Sequence, residues 1–286
     1  MNRSIGKLIV LFAVAVVVLF VVAFIFSSPS SPPPLVVLPN PNGYDSFVRA
    51  GSMVVGNSAD LATMNEVQLE QLMQDNSNAL QIVRAGLQEE SWVPIQFSQA
   101  YTEQHLPDLA HMKRLAQTLE AEGKLLELKN RPDEAARVYL EIVQFGSKSM
   151  RGGLLIDGLV GIAMQNIGAA GLENLTNKLD AEFSRNTTQT LTALDLASES
   201  WDQIMQNDRE WSQRSFPLYR VYSLFYWRSL KAAQAKVEHT YKQHEAKIHR
   251  LVLSFATRAY ELEKGRPPKS NDDLVPDYLK AIPQEP

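Results

Sequence analysis

Cysteine is absent from the 286 residues of the chain. Its absence excludes disulfide bonds, a thiol nucleophile and a lipid attachment site of the lipoprotein kind. Neither the Gly-x-Ser-x-Gly motif of many hydrolases nor a phosphate-binding loop occurs in the sequence. A folded domain of this chain must therefore be held by its hydrophobic core alone, and no common motif points to a chemical activity.

The histidines of the sequence are poorly spaced for a metal site. His239, His244 and His249 lie on one predicted helix, but a separation of five residues leaves neighbouring side chains about 140° apart around the helix axis. A zinc-protease helix needs its two histidines at i and i+4. The sequence therefore assigns no catalytic, metal-binding or cofactor-binding residue, and the chain is expected not to be an enzyme. An enzyme with an unrecognised carboxylate or histidine site is the alternative.

One apolar run, the nineteen residues from Leu8 to Phe26, contains no polar side chain. As a helix it spans about 28 Å, close to the hydrocarbon thickness of a bilayer. It is longer than the apolar core of a signal peptide, which is about 7–15 residues, and no Ala-x-Ala cleavage site follows it. The run therefore predicts a single-pass transmembrane signal-anchor, with the lipid bilayer as a partner of the chain through Leu8 to Phe26.

The residues that flank this run predict its orientation. Arg3 and Lys7 precede it, and the next basic residue is Arg49. Because positive charge stays on the cytoplasmic side of a membrane, residues 1–7 are predicted to form a cytoplasmic stub. The main domain then lies on the outer side, in the periplasm if the source is a two-membrane bacterium. Residues 27–43, rich in proline and serine, are predicted to form a semi-rigid linker.

Charge is distributed unevenly along the rest of the chain. Residues 60–210 carry 23 acidic and 12 basic side chains, whereas residues 214–269 carry 12 basic and 4 acidic ones. We expect the basic helices to pack near the acidic ones or to form solvated faces. Nucleic acid or anionic lipid is the alternative partner of the basic part. Since no nucleic-acid motif is present and the anchor places the domain outside the cytoplasm, no nucleic-acid partner is predicted.

After the linker the hydrophobic pattern is helical almost throughout. It predicts an all-α fold, with a helical-hairpin, repeat-like domain over residues 44–214 and a long helix with a short irregular tail over residues 215–286. A Thr63-x-x-Glu66 capping box predicts the start of the first helix of this domain, and Gly265 the end of the long one. The predicted helices cover residues 63–87, 107–130, 134–145, 188–212 and 218–264, the last being one helix or two.

An apolar block from Gly153 to Gly171 is predicted to be a buried core helix. Asp157, Gln165 and Asn166 lie within it and argue against a second membrane span. A neighbouring helix is expected to approach closely at the small residues on one side of the block, which are Gly158, Gly161 and Gly168.

Four positions of the predicted hairpin over residues 119–145 follow a recurring helix-pair pattern. They are the small or apolar residues Gly123, Leu126 and Ala135 and the aromatic Tyr139. In these positions the hairpin resembles a tetratricopeptide repeat. No second copy occurs one repeat length, about 34 residues, before or after it. The resemblance therefore implies repeat-like packing of two helices, with Pro132 at the first position of the second helix.

The tail carries four short segments in a recognisable order, Arg258-Ala-Tyr260, Gly265-Arg-Pro-Pro268, Asp273-Leu-Val-Pro-Asp-Tyr-Leu279 and Ile282-Pro-Gln-Glu-Pro286. This order resembles the segment that follows the long helix in type II secretion major pseudopilins. Pro267 stands where that family has an aromatic residue, and Leu11 where it has a glutamate used in assembly. The complete layout, with Asn-Gly-Tyr-Asp at 42–45, is similar to a group of uncharacterised bacterial single-pass membrane proteins.

These features together predict a membrane-anchored envelope protein without a cofactor. Its helical domain is expected to serve as a non-enzymatic scaffold or adaptor that binds another protein. A component of a secretion or pilus-like assembly is the alternative, which the tail favours and the N-terminus opposes. The sequence indicates neither the identity of the protein partner nor the oligomeric state.

Overall fold

The computed structural model describes residues 12, 14–18, 36–56, 61, 63–216 and 219–284. Over these residues the protein is all-α and contains no β-strand, which confirms the predicted fold class. Residues 12 and 14–18 are helical, and the rest of the predicted anchor lies outside the described residues. The further helices are α1 (Gly43–Ser52), α2 (Glu66–Asp75), α3 (Ser77–Leu87), α4 (Tyr101–Leu128), α5 (Pro132–Met150), α6 (Leu155–Leu175), α7 (Ala181–Leu196), α8 (Trp201–Ser215), α9 (Tyr219–Lys264) and a 3-10 helix (Asn271–Leu274).

The hydrophobic core extends from α1 to the tail. Phe47 of α1, Phe145 of α5 and Phe255 of α9 are fully buried and belong to one cluster of apolar side chains. The rings of Phe47 and Phe145 meet edge to face with their centroids 4.9 Å apart. Leu274 and Tyr278 of the tail belong to the same cluster, so the tail packs as part of the folded body.

Helices α5 and α6 approach each other closely at glycines. A Cβ atom on Gly161 would lie 2.7 Å from the carbonyl oxygen of Gly146, and one on Gly168 would lie 2.5 Å from the carbonyl oxygen of Tyr139. The predicted close approach of a neighbouring helix is confirmed at these two positions, because no side chain fits between the backbones. Gly158 faces α8 instead.

Helix α6 is long and apolar enough to cross a membrane by length and composition. It is the one such helix among the described residues, and 56% of its most apolar window is buried inside the protein. Asp157 and Gln165 of α6 are also buried. These features are those of the predicted core helix.

Helices α4 and α5 follow each other in the chain and pack together. Asn130 has a positive φ of 54° between them, and Pro132 occupies the first turn of α5, where a missing N–H costs no hydrogen bond. Gly123 of α4 lies against the ring of Tyr139 of α5, which a Cβ atom would meet at 2.6 Å. Helix α4 begins at Tyr101, earlier than predicted, and includes a proline in its second turn.

The capping box predicted at Thr63-x-x-Glu66 is wrong. Asn65 caps α2 instead, since its side-chain oxygen accepts from the backbone N–H of Gln68 at 3.0 Å and the Gln68 side chain accepts from the N–H of Asn65 at 2.9 Å. The helix predicted to continue to residue 87 also breaks at Asn76. The buried Asn76 side chain accepts from the N–H of Val55 at 2.9 Å and donates to its carbonyl oxygen at 3.1 Å. A contact with a distant extended segment therefore divides the apolar stripe into α2 and α3.

The helix predicted over residues 188–212 is likewise two helices, α7 and α8. Ser200 caps α8, because its hydroxyl oxygen accepts from the N–H of Gln203 at 3.3 Å. The helix predicted from residue 218 as one helix or two is kinked at Tyr226, whose backbone angles are non-helical (φ −108°, ψ 15°), so α9 consists of two helical segments joined at that residue. Gly265, with φ +68°, ends it in the left-handed conformation that the sequence predicts.

Candidate functional site

The larger cavity of the described protein is a cleft between α7, the start of α8, α9 and tail residues 280–284. Its volume is about 750 Å³, within the range of about 300–1,000 Å³ that is common for ligand sites. We call it the acidic cleft. Its apolar lining includes Leu191, Leu194, Leu196, Trp201, Ile248 and Ile282, and its acidic side chains are Asp195, Glu199, Asp202, Glu238 and Glu245.

The charged groups of the acidic cleft produce a negative electrostatic potential. Five carboxylates line it against two lysines, Lys242 and Lys280. Burial, followed by the negative charges of nearby carboxylates, Glu245 first among them, raises the pKa of the Tyr241 hydroxyl to about 12. Asp202 and Glu245 make no hydrogen bond or ion pair with any residue that the structure describes. These two carboxylates are free to pair with a positively charged ligand.

His244 lies on the floor of the acidic cleft with 9% of its surface exposed. Its Nδ1 lies 3.1 Å from the side-chain oxygen of Asn166, and its Nε2 lies 3.2 Å from that of Gln165. Burial, with a smaller contribution from the charge of Lys247, lowers the pKa of His244 to about 4. The imidazole is therefore neutral at pH 7. It donates to one of the two amides and accepts from the NH₂ group of the other, which requires that one amide to be turned over, and in this way it joins α9 to α6.

His249 joins α9 to two other parts of the cleft wall. Its Nε2 lies 3.0 Å from an Asp195 carboxylate oxygen, and its Nδ1 donates to the carbonyl oxygen of Gln284 at 2.7 Å. These two contacts hold the imidazole between α7 and the tail. His239, in contrast, is exposed and bonds Gln243 one turn away. Two of the three histidines considered from the sequence therefore lie at the cleft and the third does not.

Within the described ranges, no group of three or more His, Asp or Glu side chains is placed to hold a metal ion.

A second, smaller cavity of about 350 Å³ lies between α1, the first turns of α4 and the segment around residues 94–96. We call it the tyrosine pocket. Asn42 holds α1 against this segment, since its side chain donates to the carbonyl oxygen of Trp92 at 2.9 Å and accepts from the N–H of the same residue at 3.0 Å. The lining residues with titratable side chains are Tyr44, Asp45, Arg49, Tyr101, His105 and Asp108.

A buried histidine–carboxylate pair forms the base of the tyrosine pocket. The Nε2 of His105 lies 2.6 Å from Oδ1 of Asp157, whose side chain has no exposed surface. The other oxygen of Asp157 accepts from the N–H of Leu154 at 2.8 Å, at the start of α6. The carboxylate therefore fixes the orientation of the imidazole, as in sites where a histidine must present its second nitrogen.

Two tyrosine rings enclose His105. The ring of Tyr101 lies 4.8 Å from it and that of Tyr44 lies 6.2 Å from it, with interplanar angles of 18° and 23°. Both hydroxyl groups are buried and have no hydrogen-bond partner among the described residues. Burial first, and then the negative charge of Asp157, raises the pKa of both tyrosines. An unpartnered buried hydroxyl costs about 1–3 kcal/mol, which is unusual in a folded protein unless a ligand or water pairs with it.

Sequence reasoning missed the tyrosine pocket. His105 and Asp157 are 52 residues apart, and no motif connects them with Tyr44. The local signal was the spacing of Tyr101, His105 and Asp108, which places the three side chains on one face of a helix. These three side chains become part of a binding pocket only when α1 and α6 pack against this face.

Comparison with known proteins identifies no relative of this chain, because no family model, curated protein or solved structure matches it. The resemblances to the tetratricopeptide repeat and to the pseudopilin tail therefore stay predictions from the sequence. The arguments for both cavities rest on the geometry of this chain.

Proposed function

We propose that this protein is a membrane-anchored adaptor of the bacterial envelope that binds a basic segment of another protein in the acidic cleft. The observation that carries the proposal is the combination of exposed apolar and unpaired acidic side chains in one cleft. Leu196 is 80% exposed at its rim. Such a surface is typical of a site that is covered in a complex.

The chemistry of the cleft selects its occupant. Trp201 and the leucines of α7 offer apolar contacts, and the carboxylates of Asp202 and Glu245 lie beside them without a partner among the described residues. A polypeptide segment with apolar side chains next to lysine or arginine satisfies both. An acidic segment would be repelled by the same carboxylates.

The anchor supports the location of the proposed adaptor. Residues 12 and 14–18 are helical, and Phe12, Val14, Val17 and Val18 expose more than half of their surface. Exposed phenylalanine and valine side chains on a helix suit hydrocarbon and not water. Arg3 and Lys7 precede the apolar run, and no basic residue follows it until Arg49. The proposed arrangement is therefore a single-pass membrane protein with its helical domain on the outer side.

Site-specific photocrosslinking in cells tests the proposal. A photoreactive amino acid replaces Leu196 at the cleft rim of the full-length protein, and in a control it replaces Val67, an exposed residue of α2. We expect the probe at 196 to capture one partner protein that the probe at 67 does not capture. Mass spectrometry should locate the crosslink in a segment of the partner that contains lysine or arginine.

A charge-reversal pair distinguishes binding in the cleft from nonspecific capture. The double variant Asp202→Lys, Glu245→Lys is expected to lower the captured fraction about tenfold or more, because two attractive contacts become repulsive. The control variant Glu66→Lys, Glu173→Lys changes the net charge equally at exposed sites away from the cleft and should leave capture unchanged. Equal capture by both double variants, or a crosslink in an acidic segment, would contradict the proposal.

A second candidate function is a component of a secretion or pilus-like assembly. The residues of the tail support it, and the tail packs against α9, with the rings of Tyr260 and Tyr278 5.4 Å apart. If the protein does not co-fractionate with such an assembly, this candidate fails. An enzyme is the third candidate, and it requires a turnover that is lost when His244 or His249 is replaced.

A further inference from the structure

We propose that the tyrosine pocket binds the protonated amino group of a small molecule. This site is separate from the acidic cleft and does not depend on the adaptor proposal. The hydroxyl oxygens of Tyr44 and Tyr101 accept hydrogen bonds from the ammonium group, and unpaired carboxylates at the pocket compensate its charge.

The buried hydroxyl groups are the first observation behind this inference. Tyr44 is 2% and Tyr101 is 6% exposed, both line the pocket, and neither hydroxyl has a hydrogen-bond partner among the residues that the structure describes. A ligand with several N–H donors satisfies both oxygens at once. The stack of the three rings holds these acceptors in place before the ligand arrives, which lowers the entropy that binding costs.

The charges around the pocket are the second observation. Asp108 is half-buried and Asp45 is exposed, and neither makes an ion pair with any residue in the described part of the chain. Arg49 contributes one positive charge at the mouth. Burial is the largest cause of the raised pKa of both tyrosine hydroxyls, and the negative charges of Asp157 and Asp108 add to it. Only this second contribution, the negative potential of the two carboxylates, favours a cation at these oxygens.

An anion is the competing occupant, because tyrosine hydroxyls and Arg49 can also donate hydrogen bonds. The carboxylates of Asp45 and Asp108 oppose it. Aromatic walls add a preference for a cation, because the faces of tyrosine rings are negative. The volume of about 350 Å³ limits the ligand to a small molecule or to the end of a single side chain.

Three probes of four carbon atoms each test the charge preference. Butylammonium, butanol and butyrate are titrated at pH 7 into the full-length protein in detergent micelles, and binding is measured by calorimetry. We expect saturable binding of butylammonium, binding of butanol weaker by about tenfold or more, and no binding of butyrate. Tighter binding of butyrate or butanol, or no saturable binding of butylammonium, would overturn the proposal.

Variants that remove single groups locate the binding. Tyr44→Phe, Tyr101→Phe and Asp108→Asn should each weaken butylammonium binding by about fivefold or more, because each removes one acceptor or charge. Tyr139→Phe is the matched control, since the hydroxyl of Tyr139 donates to Glu127 at 2.8 Å away from the pocket. Unaltered binding in the Tyr44 and Tyr101 variants would refute the assigned site.

The stability of the same variants without ligand separates a binding role from a structural one. Tyr44→Phe and Tyr101→Phe remove hydroxyls without a partner, so their melting temperatures should equal or exceed that of the wild type. Tyr139→Phe breaks a hydrogen bond and should melt at a lower temperature. A lower melting temperature for both pocket variants would show that their hydroxyls are paired in the free protein, which contradicts the proposal.

Discussion

Acidification should destabilise this protein through His244. Its pKa is about 4 in the folded protein, against an ordinary value of 6.5, so between these values the unfolded chain binds a proton that the folded protein does not. The free energy of unfolding therefore falls as the pH falls. At 1.36 kcal/mol per pH unit, the loss from this group between pH 7 and pH 5 is about 2 kcal/mol.

Urea denaturation of the full-length protein in detergent micelles measures this loss. Tryptophan fluorescence reports unfolding at pH 7 and at pH 5, and the wild type is compared with His244→Gln, which has no titrating group. We expect the wild type to lose about 2 kcal/mol more than the variant over this range. His239→Gln is the matched control, because His239 is an exposed histidine of the same helix, and it should lose as much as the wild type.

Carboxyl groups with raised pKa values, such as Glu199 and Asp208, change the free energy of unfolding with pH in the opposite direction to His244. The folded protein binds their protons more readily than the unfolded chain, so they add stability as the pH falls. Because they are the same in the wild type and in the variant, they cancel in the comparison. If His244→Gln loses as much stability as the wild type, then the imidazole is not held neutral by burial and the argument fails.

Three further changes test the packing. Gly168→Ala places a Cβ atom 2.5 Å from a carbonyl oxygen of α5 and should cost about 1–3 kcal/mol in urea denaturation; an unchanged stability would show that the two helices can separate freely. Asn76→Ala leaves the backbone groups of Val55 unpaired and should cost about 1–3 kcal/mol, with no effect expected if water replaces the side chain. Arg185→Gln removes the ion pair, 2.6 Å long, between α7 and Glu263 of α9. This pair is partly exposed and contributes up to about 1 kcal/mol to the free energy of unfolding. Limited proteolysis should therefore cut the tail faster, while the melting temperature of the protein changes little.

Short-range features of the fold were predictable because their causes lie within a few residues. The first-turn Pro132, the terminal Gly265 and the apolar periodicity each act locally, and the structure places them as predicted. The helix breaks were not predictable in the same way. Asn76 interrupts its helix by a hydrogen bond with Val55, which is 21 residues away. The pattern of hydrophobic residues does not indicate which distant residue Asn76 contacts.

The distribution of charge along the sequence also predicts only part of the tertiary structure. The basic helix α9 does pack against α7 and α6, as the attraction between acidic and basic segments predicts. However, a close ion pair between α7 and α9 joins Arg185 of the acidic segment to Glu263 of the basic one. Net charge over a segment therefore indicates which parts attract each other, but it does not indicate which side chains meet.

Local periodicity and composition were sufficient to establish the all-α class, because a helix forms from contacts three and four residues apart. They also carry the prediction of the N-terminal anchor. The two cavities arise from contacts between distant parts of the chain, such as His105 with Asp157 and His249 with Asp195. Their chemistry depends on which helix faces pack together and how far water is excluded, and neither quantity is encoded in the spacing of residues along a single helix.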